Sequence, residues 1–393
     1  MILSIFFKLG VQLLDQYNMN LFNVYSLYDT EPVRGEGAYV YDKNGRQILD
    51  FYGGHAVMSI GHAHPHYVRK VQEQVANLGF YSNSVKNPLQ QELADKLGEL
   101  SGMDDYQLFL VSSGAEATEN ALKLASFHTD RNRILAFDGA FHGRTSAAVN
   151  VTDNEKIKAP INKNFPVTFL PMNDLAAVER ELAKGDVAAL IIEGVQGVHG
   201  IYVPEPEFLE ALPALCHKYG ALLILDEVQS GYGRTGKFFA FQHSRVQPDI
   251  IAMAKGMGNG FPIGGVLIHP KFEGKAGMLG TTFGGNHLAC AAGIAVLDVI
   301  KDEGLLDNAT IQGAYLMEEL GKTGLFTEIR GYGLVIGLQM TEPIAPLRKK
   351  LLFGHSVFTG SSKDPNTIRL LPPLNVSRAQ CDDLIAAFKK ALG

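Results

Sequence analysis

Between Gln107 and Lys255 the chain alternates short, almost wholly apolar runs with longer stretches of helical period. Gln107 to Val111, Ile134 to Phe137, Val187 to Ile192, Leu222 to Leu225 and Asp249 to Ala254 are too short for buried helices and lack polar alternation. Each therefore reads as a strand covered on both faces. The segments between them space their apolar residues by three and four, as in Phe208, Leu212, Leu215 and Tyr219, with Gly220 as the stop. Strand and helix in alternation predict an α/β fold: a mostly parallel sheet with helices on both faces.

The flanks carry a different pattern. Gly37 to Asp50 reads as a hairpin turning at Asn44-Gly45. Val68, Val71, Val75 and Leu78 predict a buried stripe on a helix opened near Pro65, and a second helix, capped by Asn87 with Pro88 behind it, points Leu93, Leu97 and Leu100 inward. Towards the end, Ala291 to Ile300 predicts an apolar helix and Ile329 to Met340 a glycine-punctuated strand. A last helix is capped by Ser377 and buries Leu384, Ile385, Phe388 and Leu392. A chain of 393 residues exceeds one ordinary core. The expected division is a large domain over 61–289 and a smaller α+β domain built from 19–60 and 290–393. Met1 to Asn18 is apolar but interrupted by Lys8, with no basic lead-in or small-residue cleavage site, so it is expected to be an extension or a mis-called start rather than an export signal. No later segment has the uninterrupted apolar length of a membrane span.

Charge narrows the function classes. A formal net charge of -6 and a pI near 6.1 argue against nucleic acid or an anionic membrane as partner, since both reward a basic face. Cys216, Cys290 and Cys381 lie far apart without metal-ligand spacing, which suits a reducing, cytoplasmic compartment. His62, His64 and His66 invite a metal reading, but no acidic or cysteine partner stands at ligand spacing and Pro65 starts a helix among them.

The candidate chemistry sits at the ends of the apolar runs. Leu222 to Leu225 ends in Asp226, and Ala252 to Ala254 ends in Lys255. In an open α/β sheet the carboxyl ends of parallel strands face one crevice, so an acid and a desolvated lysine are expected to share it, as an imine-forming cofactor with a basic ring nitrogen requires. Taken singly, the acid reads equally as a helix cap and the lysine as a solvated charge. After Val111, Ser112-Ser113-Gly114-Ala115-Glu116 turns directly into a helix; its first amides would bind a phosphate at Gly114 and Ala115, while the S-x-x-E spacing of Ser113 and Glu116 allows a plain capping box. By pattern these two readings are even. Phe141, His142 and Arg144 on a glycine-bracketed loop would stack on a flat ring and hold a carboxylate, or would simply form a loop with a surface arginine.

The segments SSGAEATENALKLA, FDGAFHGRT, LILDEVQSGYGRTGKFFAF, PDIIAMAKGMGNGFPIGG and GTTFGGNHLACAA, in this order, resemble the class III pyridoxal-phosphate aminotransferases, within which the chain is most similar to the acetylornithine and succinylornithine branch. The resemblance runs from about Asn20 to Gly393. It implies the type I fold of pyridoxal-phosphate enzymes and a homodimer with shared active sites. It further implies that Ser113, Gly114 and Ala115 hold the cofactor phosphate, with Thr282 added from the other subunit, that Phe141 stacks on the ring, and that Asp226 holds the ring nitrogen. Gln229 would contact the ring hydroxyl, Lys255 would carry the cofactor as an imine, and His142, Glu227 and Val228 complete the cofactor contacts. Arg144, with Thr281 nearby, and Arg369 would bind substrate carboxylates. The implied reaction passes an amino group from an N-acylated ornithine to 2-oxoglutarate in arginine metabolism. Free ornithine or 4-aminobutyrate as donor, and a cofactor-binding protein without turnover, stay open as alternatives.

One stretch departs from the resemblance. Where relatives read E-P-(I or V)-Q-G-E, this chain has Gly194 for the proline and Val198 for the second glutamate. That glutamate pairs with the arginine at the position of Arg369 in ornithine enzymes; valine cannot, so Arg369 is expected to stand unmasked. An N-acylated donor has no free α-amine to react wrongly and needs the mask less, and an unmasked cation suits an acidic acyl group such as succinyl.

Overall fold

The apolar runs become strands because a buried backbone must pair its N–H and C=O groups, and a ladder does this over a short segment. The computed structural model describes residues 21–393. The expected extension, Met1 to Asn18, lies outside the described residues. Contacts divide the chain between Glu31 and Pro32; residues 21–31 carry no helix or strand.

Within Pro32–Gly393 the strands run β1 (Pro32–Glu36), β2 (Tyr39–Asp42), β3 (Gln47–Phe51), β4 (Gln107–Val111), β5 (Arg133–Phe137), β6 (Val167–Leu170), β7 (Val187–Glu193), β8 (Leu222–Asp226), β9 (Ile250–Met253) and β10 (Gly264–Ile268). β11 (Glu328–Tyr332), β12 (Val335–Gln339), β13 (Val357–Thr359) and β14 (Thr367–Leu370) follow. Among the described residues, β4 to β10 form a seven-stranded sheet in the order β4-β10-β9-β8-β7-β5-β6. The ladders β6-β5, β5-β7, β7-β8 and β8-β9 are parallel. β10 runs antiparallel to both β9 and β4. The reason is length: a parallel return needs a crossover of a dozen or more residues, usually a helix, and only residues 254–263 separate β9 from β10. Two antiparallel steps restore direction, so β4, β5, β7, β8 and β9 all point their carboxyl ends to one edge. β5, β7, β8 and β9 are buried throughout, as their unbroken apolarity requires.

The expected hairpin forms as β2 and β3, with Gly45 in the left-handed region at φ 78. It belongs to a sheet ordered β1-β2-β3-β13, so a strand near the start of the described chain pairs with one near its end, in parallel. β11, β12 and β14 make a third, antiparallel sheet. Ile329 to Met340 is therefore a hairpin rather than a single strand. Gly333, at φ 51, reverses the chain where a Cβ would strike the Thr235 backbone at 2.6 Å.

The helix caps follow the sequence: the Asn87 side chain accepts from Leu89 N, and Ser377 Oγ accepts from Gln380 N. The helix Pro65–Asn77 departs from expectation. None of its residues is buried, and Val75 and Leu78 are 59% and 45% exposed. Its apolar stripe is correctly periodic, but Val75 and the residues after it turn away from this chain's core; Phe80, Tyr81 and Phe283 are exposed as well, with the Phe80 and Phe283 rings 5.4 Å apart. The three histidines go separate ways: His62 to Asp50 at 2.9 Å, His64 to Glu303 at 2.8 Å and His66 to Asp298 at 3.0 Å. No helix among the described residues is long and apolar enough to cross a membrane. The three cysteines are buried and unpaired.

Candidate active site

The common carboxyl edge of the sheet opens into a cavity of about 330 Å³. Gly114 and Ala115 reach it from β4, Phe141 and His142 from β5, Glu193 from β7, Asp226 from β8 and Lys255 from β9. A larger groove, about 690 Å³, lies along the outer side of the helix Gly114–Thr129 and contains none of these residues.

Asp226 is the fixed point. It is 4% exposed; one oxygen accepts from Val228 N at 2.9 Å and the other lies 2.7 Å from His142 Nδ1. An ionised carboxylate there requires the N–H on Nδ1, which leaves His142 Nε2 buried and without a partner. Lys255 stands at the end of the neighbouring strand with φ 44, a left-handed bend that turns it off the ladder. Burial is the chief cause that pushes its ammonium down to about 8, with Arg369 and Arg234 adding to the effect and Asp226 and Glu193 opposing it. Among the described residues its Nζ has no ion-pair or hydrogen-bond partner.

The turn after β4 realises both readings of its sequence. Ser113 Oγ accepts from Glu116 N at 3.2 Å, and Glu116 reaches back to Ser112 N at 2.6 Å. The cap leaves the first-turn amides of Gly114 and Ala115 outside the intrahelical ladder, whose first bond runs from Ala117 N to Ser113 O. Gly114 has to be bare: a Cβ would come within 2.6 Å of Val228 Cγ1. Phe141 lines the same cavity and donates its backbone N–H to Glu193 Oε1 at 3.0 Å.

Gln229 connects this floor to the C-terminal strands. Its Oε1 accepts from Arg369 Nη1 at 3.1 Å, its Nε2 donates to the His55 carbonyl at 3.3 Å, and Gly197 leaves it room, since a Cβ there would meet Oε1 at 1.9 Å. Arg369 is 3% exposed, and its other partner is the Ser361 carbonyl. Burial holds its guanidinium down at about 10. No carboxylate pairs with it among the described residues, and Val198 presents an apolar side chain to the cavity.

The remaining expected residues are not all on the cavity. Arg144 lines the cavity, is exposed and has no ion pair among the described residues. Arg369 stands behind Gln229 rather than on the cavity wall. Glu227 turns away to accept from Ser230 Oγ and the amides of Ala240 and Phe241. Thr281 and Thr282 do not line the cavity; the Thr281 hydroxyl accepts from Gly284 N at 3.1 Å. Sequence reasoning missed Glu193, which ends β7 as Asp226 ends β8 and meets it across the ladder. The rule that singled out Asp226, an acid closing a buried apolar run, applies equally to Glu193.

A sequence model described as aminotransferase class-III matches residues 24–392. The chain is 42% identical over 355 residues to an acetylornithine aminotransferase of Archaeoglobus fulgidus, covering 90% of this chain and 92% of that one. It is 40% identical over 383 residues to one of Bacillus subtilis, with 95% and 97% covered. Among solved structures, an ornithine aminotransferase from Toxoplasma gondii superposes with a TM-score of 0.87 at 29% identity, covering 97% of this chain and 94% of that one. An acetylornithine aminotransferase from Elizabethkingia anophelis gives 0.80 at 31%, with 97% of each chain covered.

Proposed function

The chain belongs to the class-III aminotransferases, enzymes that work with pyridoxal 5'-phosphate, and on that premise we propose that it moves the δ-amino group of an N2-acylornithine to 2-oxoglutarate, yielding the N-acylglutamate semialdehyde and glutamate. The observation that carries the reading is the convergence of Asp226, Lys255 and the bare first turn at Gly114 in one cavity. This set fits the cofactor. A phosphate needs free amides at a helix start with no Cβ in the way, and Gly114 leaves no room for one. A ring nitrogen needs a fixed anion, and Asp226 is held from two sides.

When bound, pyridoxal phosphate supplies an aldehyde that combines with amines and a cationic ring that withdraws electrons from the adjoining carbon. Asp226 would keep a proton on the ring nitrogen, because an opposite charge beside it favours the protonated form. His142 Nδ1 keeps that carboxylate oriented, and Phe141 would cover one face of the ring. Lys255, its ammonium already weakened by burial, would lose a proton and so be able to hold the cofactor through its Nζ, the atom that would also take up and return a proton at the substrate. Arg144, free at the mouth, would take one substrate carboxylate. Arg369 would take another; its partners, Gln229 and the Ser361 carbonyl, are neutral and can be exchanged without stranding a buried charge.

Val198 and the uncharged partners of Arg369 favour an acylated donor, and the names of the Archaeoglobus and Bacillus relatives agree with it. A homodimer is part of the proposal: the apolar residues Val75 and Leu78 face away from this chain's core, and Thr282 lies outside its own cavity, where it would serve the partner's. So is the division into a large domain, 61–289, and a smaller one from 19–60 and 290–393, in keeping with the β3-β13 pairing of the two ends. A cytoplasmic location fits the reduced cysteines. The test is a panel of acetylornithine, succinylornithine, ornithine and 4-aminobutyrate against 2-oxoglutarate, compared by kcat/KM. An acylornithine should lead; ornithine or 4-aminobutyrate in first place would refute the reading.

A further inference from the structure

Glu193 and Asp226 are register partners at the ends of β7 and β8, so two carboxyls lie side by side on the cavity floor, 5% and 4% exposed. They are held differently. Asp226 has the His142 ring and the Val228 amide. Glu193 accepts only two backbone N–H groups, from Phe141 at 3.0 Å and Gly197 at 3.2 Å, and no cation pairs with it among the described residues. Two neighbouring carboxyls in a dry site do not both ionise readily, and the one without a positive or imidazole partner keeps the proton.

We propose that Glu193 is a positioning residue that is neutral at acid pH and ionises before Lys255 loses its proton, so that its charge tightens the lysine nitrogen's hold on that proton. Glu193 also fixes the site's shape, since its two oxygens tie Phe141 to the turn that seats Gln229 at Gly197. The charged and titratable groups that act on it come from several elements: Asp226 on β8, His142 after β5, Lys255 after β9, and Arg369 on β14. Burial, aided by Asp226 and opposed by His142, pushes its carboxyl up to about 7. The sign follows. Below that value Glu193 is neutral; as pH rises through it, a second negative charge forms, and because Glu193 raises the Lys255 pKa, the lysine nitrogen then holds its proton more tightly. Glu193 thus links the alkaline limb of the lysine's titration to its own.

The proposal rests on Lys255 as the cofactor-bearing lysine, and its test is Glu193→Gln in the cofactor-loaded enzyme. Glutamine keeps the shape and one acceptor oxygen but stays neutral. The readout is the pH midpoint of the visible absorption that reports protonation at the Lys255 nitrogen, with thermal unfolding as the control for folding. The midpoint should move to lower pH, corresponding to about threefold to tenfold weaker proton binding. A variant that binds cofactor with an unmoved or raised midpoint overturns the proposal, even if its Tm falls, because a purely structural glutamate would affect stability alone. A glutamate ionised at every pH would move the midpoint equally, so infrared spectroscopy of the unaltered enzyme is read as well: a protonated-carboxyl band that titrates near neutrality supports the proposal and its absence overturns it, whether or not the variant folds. An unaltered enzyme with no visible absorption would defeat the Lys255 assignment itself, a failure distinct from an unmoved midpoint.

Discussion

Gly114→Ala tests the phosphate seat with the smallest possible perturbation. The added Cβ would stand 2.6 Å from Val228 Cγ1 and 3.1 Å from Cγ2, while the next neighbour, Ala254 Cβ, is at a tolerable 3.4 Å. Ordinary carbon contacts are about 3.5–4.0 Å, so Val228 has to move by most of an ångström. Its backbone cannot readily shift to make room, because its own N–H is tied to Asp226. Forcing one methyl into a packed site costs about 1–3 kcal/mol. Since the strain is relieved by displacing the first-turn amides from the cavity, it should appear as roughly 5-fold to 150-fold weaker cofactor binding, measured by titrating the cofactor-free protein with pyridoxal phosphate. Val228→Ala removes both clashing methyls. The double variant should therefore bind within a few-fold of Val228→Ala alone, a coupling well above the roughly 0.5 kcal/mol expected of independent sites. Additive losses, or an unchanged Kd in Gly114→Ala, would refute the steric argument.

The other predictions concern charge. Lys255→Ala should abolish turnover and the visible absorption of the bound cofactor; multiple turnover in the purified variant would sink the assignment. Because the Lys255 ammonium is lowered to about 8, stopped-flow capture of pyridoxal phosphate by the cofactor-free protein should accelerate as pH rises through about 8 and then level off. A rate still climbing steeply beyond about pH 10, the range of an ordinary lysine, would contradict the burial argument. Val198→Glu places a carboxylate on the cavity wall; it should lower kcat/KM for succinylornithine more than for acetylornithine, and equal losses would remove Val198 from the account of specificity.

The sheet was legible because β5, β7, β8 and β9 are buried on both faces, which leaves unbroken apolar runs, and because strand ends in such a sheet must face a crevice. Asp226 and Lys255 could be placed by that rule before any contact was known. Three features were not legible, for physical reasons. The antiparallel direction of β10 depends on the brevity of its connection, not on its composition. Periodicity finds the apolar stripe of Val68, Val71, Val75 and Leu78 but cannot tell this chain's core from another surface, and its second half, Val75 and Leu78, is exposed. Glu193 was obscured because it opened a stretch read for its departures at Gly194 and Val198. Arg369 was found through resemblance alone; nothing local on β14 reveals that its guanidinium meets a glutamine from the far side of the sheet edge.

The β3-β13 pairing has a consequence for how the enzyme is made. Phe51 meets Thr359 in the ladder, and its carbonyl accepts from Leu371 N. At translation rates of about 5–20 residues per second, the early strand therefore waits on the order of tens of seconds for its partner to be synthesised. Until then the edge of β3 is an open template for pairing with another chain. A message cut short before Val357 would yield protein with most of its sheet edge intact, yet with that template permanently exposed and without Arg369. Such a product would combine an exposed pairing edge with an incomplete site, so it is expected to aggregate rather than to keep partial activity.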